Sequence, residues 1–97
     1  MKMAKPIDTL TALRIWYKYP SEIGNVQLRE LFGLESSYSM ARIKKEIRKI
    51  QIEEGIGILY PYNVSTKAAY QYAGIDIEEV KKRYREGQRL GLWDGLN

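Results

Sequence analysis

The stretch SSYSMARIKKEIRKIQI, residues 36–52, has the pattern of a helix with one apolar side and one basic side. Its apolar residues are three or four positions apart, a spacing that brings them to one face of a helix. They are Met40, Ile43, Ile47 and Ile50. The stretch also carries five cations and one acid, a net charge of +4 that equals the net charge of the whole 97-residue chain. The excess charge is therefore concentrated in this one predicted helix.

The cations of this basic helix are predicted to lie opposite its apolar stripe. With Met40 set at 0° and about 100° per residue, four side chains fall between roughly 140° and 200°. They are Tyr38, Arg42, Lys45 and Lys49. A face kept only for solubility usually alternates charges, whereas Glu46 lies at the edge of this one. The pattern favours an anionic partner such as duplex DNA, and the alternative is a solvated basic face with no ligand.

Capping residues and glycines predict four further helices. They cover residues 9–18 after Asp8, 26–32 between Asn25 and Gly33, 66–73 between Ser65 and Gly74, and 77–88 after Asp76. Val26 is expected to point inward in the second helix. Leu34 is expected to fill the corner before the basic helix, and Ser36 or Ser37 to cap that helix. Residues 56–64 contain β-prone residues with Gly57 and Pro61, which predicts a short β-hairpin or an irregular wing.

These elements predict a single, mainly α-helical domain over residues 1–97, because the chain is too short for several cores. Its parts are a flexible arm (1–6), two helices joined by a glycine turn (25–54), a wing (56–64), C-terminal helices (65–88) and a tail (90–97). The tail contains Leu92, Trp93 and Leu96. We expect these apolar residues to pack on this domain or on a second copy.

The composition argues against an enzyme. The chain has no cysteine and no histidine, so a Cys/His metal site, a thiolate nucleophile and an imidazole base are excluded. No phosphate loop or nucleophile-elbow motif occurs, and we expect no cofactor and no metal. No apolar run approaches the ~20 residues of a membrane span, and the N-terminus lacks the apolar segment of a signal peptide. We therefore expect a cytoplasmic protein without membrane contact.

From Asn25 to Asp76 the chain resembles winged helix-turn-helix proteins, specifically small regulators and excisionases of phages and mobile elements. The resemblance rests on NVQLRELFGL (25–34), SSYSMARIKKEIRK (36–49) and NVSTKAAYQYAGID (63–76). It implies that the basic helix enters the major groove of double-stranded DNA and that the wing grips the flanking backbone. The chain departs from the strict motif at Arg29, where the family usually has a small residue, and at Met40, which comes one place late.

These observations predict a DNA-binding surface formed by two groups of residues. Small residues near a helix start allow close approach, and serine hydroxyls and helix N-terminal amides are common phosphate ligands. The predicted DNA-contacting residues are Ser37, Tyr38, Ser39, Arg42, Lys45 and Lys49 of the basic helix, and Asn63, Ser65 and Lys67 at the junction of the wing and the next helix. We expect a small transcriptional regulator or recombination-directionality factor.

Two other functions fit the sequence less well. A protein-interaction or phage assembly module could use the same fold as a packing unit, with a homodimer or a partner protein held through the tail. Single-stranded nucleic acid could stack on the tyrosines at 60, 62, 70 and 72, although we expect these tyrosines to pack in the core. A second group of cations, in residues 81–89, follows acids at the start of its helix and so complements the helix dipole.

Overall fold

The computed structural model describes residues 8–33 and 37–92, and only the backbone of residues 37 and 38. The described part contains five helices and a two-stranded antiparallel sheet. In chain order the elements are α1 (Thr9–Lys18), β1 (Glu22–Ile23), α2 (Asn25–Phe32), α3 (Ser37–Glu54), β2 (Val64–Ser65), α4 (Thr66–Ala73) and α5 (Ile77–Arg89). The prediction of a mainly helical protein is confirmed.

Local capping bonds explain where most helices begin and end. Asp8 and Ser65 accept backbone N–H groups at the starts of α1 and α4, and Asp76 does so at the start of α5. Gly33 and Gly74 end α2 and α4 with φ of 64° and 74°, in the left-handed region that favours glycine. The helix bounds predicted from these residues are confirmed to within one residue.

The start of α2 differs slightly from the prediction. Asn25 is the first helical residue rather than the cap, and Gln27 accepts the backbone N–H of Gly24 through Oε1 at 3.0 Å. Several predictions concern residues outside the described part of the chain. They are the flexible arm (1–6), the position of Leu34, the cap at Ser36, and the packing of Trp93 and Leu96. Leu92, which is described, is exposed.

Of the two alternatives predicted for residues 56–64, a β-hairpin or an irregular wing, the structure has the irregular segment and no hairpin. Residues 56–63 contain no helix or strand, residues 59–62 among them form bends and turns, and only Val64 and Ser65 are in a strand. They pair with β1, which precedes α2: Glu22 lies opposite Ser65, and Ile23 lies opposite Val64. The backbone of the irregular segment is bonded mainly to side chains, which leaves no second strand for a hairpin.

One apolar core joins the helices and the sheet. α1 packs against α5 and α2, whereas α3 packs against α4 and β2. The predicted α3 stripe is confirmed, with Met40, Ile43 and Ile47 buried and Ile50 packed at the edge of the core. Val26 is 65 % exposed, so its inward prediction is wrong. It lies about 160° from the buried Leu28 around α2, on the solvent side of the helix.

Candidate nucleic-acid interface

The solvent face of α3 presents three of the predicted cations. Arg42, Lys45 and Lys49 are exposed on the side opposite the buried stripe. Lys49 forms an ion pair with Glu46 at 3.2 Å, in which both side chains remain well exposed. Such surface pairs contribute only about 0–1 kcal/mol and exchange readily for another anion. Within the described residues, Arg42 and Lys45 have no hydrogen-bond or ion-pair partner.

The other two cations of α3 hold the segment that follows it. Lys44 Nζ donates to the carbonyl oxygen of Tyr62 at 2.6 Å and to Asn25 Oδ1 at 3.0 Å. Arg48 Nη2 donates to the carbonyl oxygen of Pro61 at 3.1 Å. Burial lowers the pKa of Lys44, and the neighbouring charge of Arg48 lowers it further. These bonds go to carbonyl oxygens and an amide, so no carboxylate of the described residues is paired with either cation.

A carboxylate from β1 holds the same segment from another side. Glu22 accepts the backbone N–H groups of Leu59 at 2.5 Å and Tyr60 at 3.2 Å, and the side-chain amide of Asn63 at 3.3 Å. The Leu59 bond is the main reason that the pKa of Glu22 lies below its usual value, although partial burial opposes the shift. Residues 59–63 are therefore fixed by bonds from both α3 and β1, and we call them the anchored loop.

The anchored loop displays large apolar side chains to solvent. Leu59 is 76 % exposed, Tyr60 61 % and Tyr62 84 %. The prediction that these tyrosines pack in the core is wrong for Tyr60 and Tyr62 and correct for Tyr70, which is buried. The sequence has no lysine or arginine between residues 56 and 66. The loop thus lacks the cations with which a wing would grip phosphates, and offers aromatic surface instead.

A shallow groove of about 280 Å³ separates α2 from α3 beneath the anchored loop. Arg29 of α2 lines it together with Lys44 and Arg48 of α3 and Tyr62 of the loop. Arg29 is exposed and, among the described residues, has no ion-pair partner. In the sequence, Arg29 stands out only as a departure from the helix-turn-helix motif. Arg29 lies one helical turn after Asn25 in α2, and Lys44 bonds Asn25, so Arg29 lies beside Lys44.

The structure does not bring all the predicted site residues to one surface. Ser37 and Tyr38 lie in the first turn of α3, but their side chains are outside the described part, and Ser39 is partly buried. Lys67 is exposed in the first turn of α4.

Asn63 and Ser65 have structural contacts instead of a free surface. Asn63 is partly buried against Glu22. Ser65 is 2 % exposed, and its hydroxyl accepts the N–H of Ala68 as the cap of α4. The Ser65 hydroxyl is therefore enclosed, and we leave it out of the interface. The exposed basic set comprises Arg42, Lys45 and Lys49, with Arg29 added beside it.

Comparison with known protein families, curated proteins and solved structures finds no match to this chain. Within residues 8–33 and 37–92, no helix has the length and apolar composition required to cross a membrane. The same residues contain no group of acidic side chains arranged to hold a metal ion. The geometry of α3 and the anchored loop is therefore the basis for inferring a function.

Proposed function

We propose that this protein binds double-stranded DNA with α3 in the major groove, acting as a small transcriptional regulator or recombination-directionality factor of a phage or mobile element. The observation that carries the proposal is the pair Arg42 and Lys45, two exposed cations on the face opposite the core stripe that have no partner among the described residues. The process in which the protein acts rests on the sequence resemblance alone. The proposed contact rests on α3 and its surroundings.

The dimensions of α3 suit this contact. A helix with its side chains is about 10–12 Å across, which matches the ~12 Å width of the major groove. Arg42 and Lys49 are separated by seven residues, or about 10 Å along the helix axis. That length covers about three base pairs at 3.4 Å each. The exposed cations can therefore contact phosphates on either side of the few base edges that α3 would face.

The anchored loop also supports a DNA contact through the basic face of α3. Its backbone is bonded to Lys44 and Arg48, so the loop keeps a fixed position beside the basic face. The two cations add positive charge in the groove that Tyr62 also lines. Aromatic side chains on a backbone that is fixed before binding leave less conformational entropy to lose when they contact sugars or bases. We therefore include Tyr60 and Tyr62 in the proposed interface, next to the phosphate-binding cations.

The test is a fluorescence anisotropy titration with a labelled duplex selected from genomic fragments, repeated over a series of salt concentrations. Arg42→Gln and Lys45→Gln should each weaken binding. If the lost contact is to a phosphate, each should reduce the slope of log affinity against log salt by about 1. Lys82→Gln is the matched control, because Lys82 is an exposed cation of α5 without an ion-pair partner among the described residues. Absence of duplex binding at 50 mM salt, or an equal loss in Lys82→Gln, would refute the proposal.

The exposure of Tyr60 and Tyr62 also favours a second candidate, single-stranded nucleic acid stacked on the anchored loop. Stacking of a base on an aromatic side chain contributes about 1–3 kcal/mol. In this case Tyr62→Ala would weaken binding to a single strand by about 5- to 150-fold while Arg42→Gln would have a smaller effect. Titration of each variant with single-stranded and duplex forms of one oligonucleotide separates the two candidates.

A further inference from the structure

The groove between α2 and α3 combines three cations with no acid in its described lining. Its volume is about 280 Å³, and Arg29 of α2 lines it with Lys44 and Arg48 of α3. The other described lining residues are neutral, namely Asn25, Met40, Ala41 and Tyr62. At about 30 Å³ per water molecule, this volume corresponds to about nine waters. A charge of +3 therefore lines a space that suits a small anion with part of its hydration shell.

The acids of the two helices are paired or lie away from this groove. Glu30, the single acid in the α2 sequence, is paired with Arg14 of α1. Glu46 of α3 is paired with Lys49 on the solvent face. The acids at positions 53 and 54 are in the last turn of α3, more than one turn after Arg48, and do not line the groove. The carboxylates of α2 and α3 therefore leave the three groove cations unbalanced.

The missing counter-charge costs stability in the free protein. Lys44 and Arg48 are one helical turn apart and partly buried. Like charges at this spacing repel each other and destabilise a helix. The pKa of Lys44 is lowered by burial and then by the charge of Arg48, which shows that the two cations interact. An anion between them would replace repulsion with attraction, so anion binding should stabilise the groove.

The three cations retain hydrogen-bond donors for such an anion. A lysine side chain has three N–H donors and an arginine side chain has five. Lys44 uses two of its donors, for the Asn25 side chain and a carbonyl of the anchored loop, and Arg48 uses one for another loop carbonyl. Arg29 uses none within the described residues. The guanidinium groups of the two arginines also have the planar fork that matches the oxygens of a phosphate.

We propose that the α2–α3 groove is a phosphate-binding site in which Arg29, Lys44 and Arg48 together hold one phosphate group. Bonds to the anchored loop already fix Lys44 and Arg48, so these two side chains lose little conformational entropy when the phosphate enters. Arg29 reaches the groove from the other helix and completes the site. The phosphate belongs to a DNA backbone, in which case the site rests on the proposed function, or to a free phosphate compound. Both sources present the same chemical group to the groove.

The first test is an NMR titration of the full-length, ¹⁵N-labelled protein with inorganic phosphate at constant pH and ionic strength, with chloride as the reference anion. Phosphate should cause saturable shifts of the Arg29, Lys44 and Arg48 amide signals that chloride does not cause. Arg29→Gln should weaken phosphate binding about tenfold, because it removes charge-assisted hydrogen bonds. Arg29 is exposed and has no described side-chain contact to lose, so this variant should fold like the parent.

The matched control is Lys82→Gln, since Lys82 is an exposed cation of α5 that does not line the groove. This variant should bind inorganic phosphate as tightly as the parent protein does. Shifts that do not saturate, that chloride reproduces, or that are the same in Arg29→Gln would overturn the phosphate site. An equal loss of phosphate affinity in Lys82→Gln would also overturn it, because the effect would then depend on net charge alone.

A second titration, with duplex DNA over a series of salt concentrations, identifies the source of the phosphate. A backbone phosphate in the groove predicts that Arg29→Gln weakens duplex binding and reduces the slope of log affinity against log salt by about 1. Weaker binding of inorganic phosphate with unchanged duplex affinity would support the site and assign it to a free phosphate compound. A protein that binds inorganic phosphate but no duplex would refute the proposed function and leave the phosphate site intact. Duplex binding without a saturable response to inorganic phosphate would refute the phosphate site alone.

Discussion

The buried amide of Gln51 is the best place to measure how strongly α3 is fixed to the rest of the protein. Gln51 lies near the end of α3 and is only 7 % exposed. Its Oε1 atom accepts the backbone N–H of Ser65 at 2.7 Å. Ser65 belongs to β2 and caps α4, so one hydrogen bond connects α3 with both elements. We predict that Gln51→Met destabilises the protein.

The expected loss of stability follows from the burial of the bond between Gln51 and Ser65. Methionine is close to glutamine in length and shape, so the substitution removes the acceptor without opening a large cavity. It leaves the N–H of Ser65 buried and without a partner, which costs about 1–3 kcal/mol. For a domain of about 100 residues, 1 kcal/mol corresponds to about 4–8 °C in melting temperature. We therefore expect Gln51→Met to melt roughly 4–24 °C below the parent protein.

The assay is urea and thermal unfolding followed by circular dichroism. Gln71→Met is the matched control, because Gln71 is exposed and its amide makes only a long bond of 3.4 Å to Glu54. The control should stay within about 0.5 kcal/mol of the parent. A Gln51→Met protein that is equally close to the parent would show that the Ser65 N–H finds another partner, and the reasoning would be refuted.

Three further predictions concern the anchored loop, a helix end and the core. At a pH below the lowered pKa of Glu22, the carboxylate is protonated and the anchored loop should lose the bonds that it makes to this group. The amide NMR signal of Leu59 should therefore shift at acid pH, and Glu22→Gln should abolish this shift. Gly74→Ala should lower the free energy of unfolding by about 1–2 kcal/mol in urea, because φ at this position is +74°. An added methyl group would meet no atom within 4 Å at Gly74 or at Gly57, so Gly57→Ala, where φ is not positive, is the control and should be neutral. Burial raises the pKa of the Tyr70 hydroxyl, so above pH ~10 the unfolded chain loses this proton before the folded protein does. The free energy of unfolding should therefore fall by about 1.4 kcal/mol per pH unit. Urea unfolding at pH 10–11 should show that Tyr70→Phe lacks this part of the fall.

Helix positions were predictable because their signals are local. Asp8, Ser65 and Asp76 bond to amides two or three residues ahead, so the sequence near each residue contains both partners. The stripe Met40, Ile43 and Ile47 was predictable for a similar reason, since burial follows from helical spacing. The same spacing correctly placed Arg42 and Lys45 on the opposite, exposed face.

The roles of Glu22, Lys44 and Arg48 were not predictable from the sequence. Glu22 bonds residues 37 to 41 positions away, and Lys44 and Arg48 bond carbonyl groups 13 or 18 positions away. No periodicity or cap connects such pairs, and a lysine that supports a loop looks the same in sequence as one that meets a ligand. The exposure of Tyr60 and Tyr62 has the same origin, because apolar composition suggested burial while distant bonds fixed the loop outward.

The short sheet has a consequence for how this protein can vary. Pairing of Glu22 with Ser65 and of Ile23 with Val64 means that residues 24–63 leave the sheet and return to it at neighbouring positions. Doubling the length of a loop closed in this way costs only about 0.6 kcal/mol in closure entropy. Insertions near Gly57, which no atom crowds, should therefore change the reach of the exposed surface with little effect on folding. The chain can therefore change in length at this point while β1, β2 and the buried side of α3 remain the same.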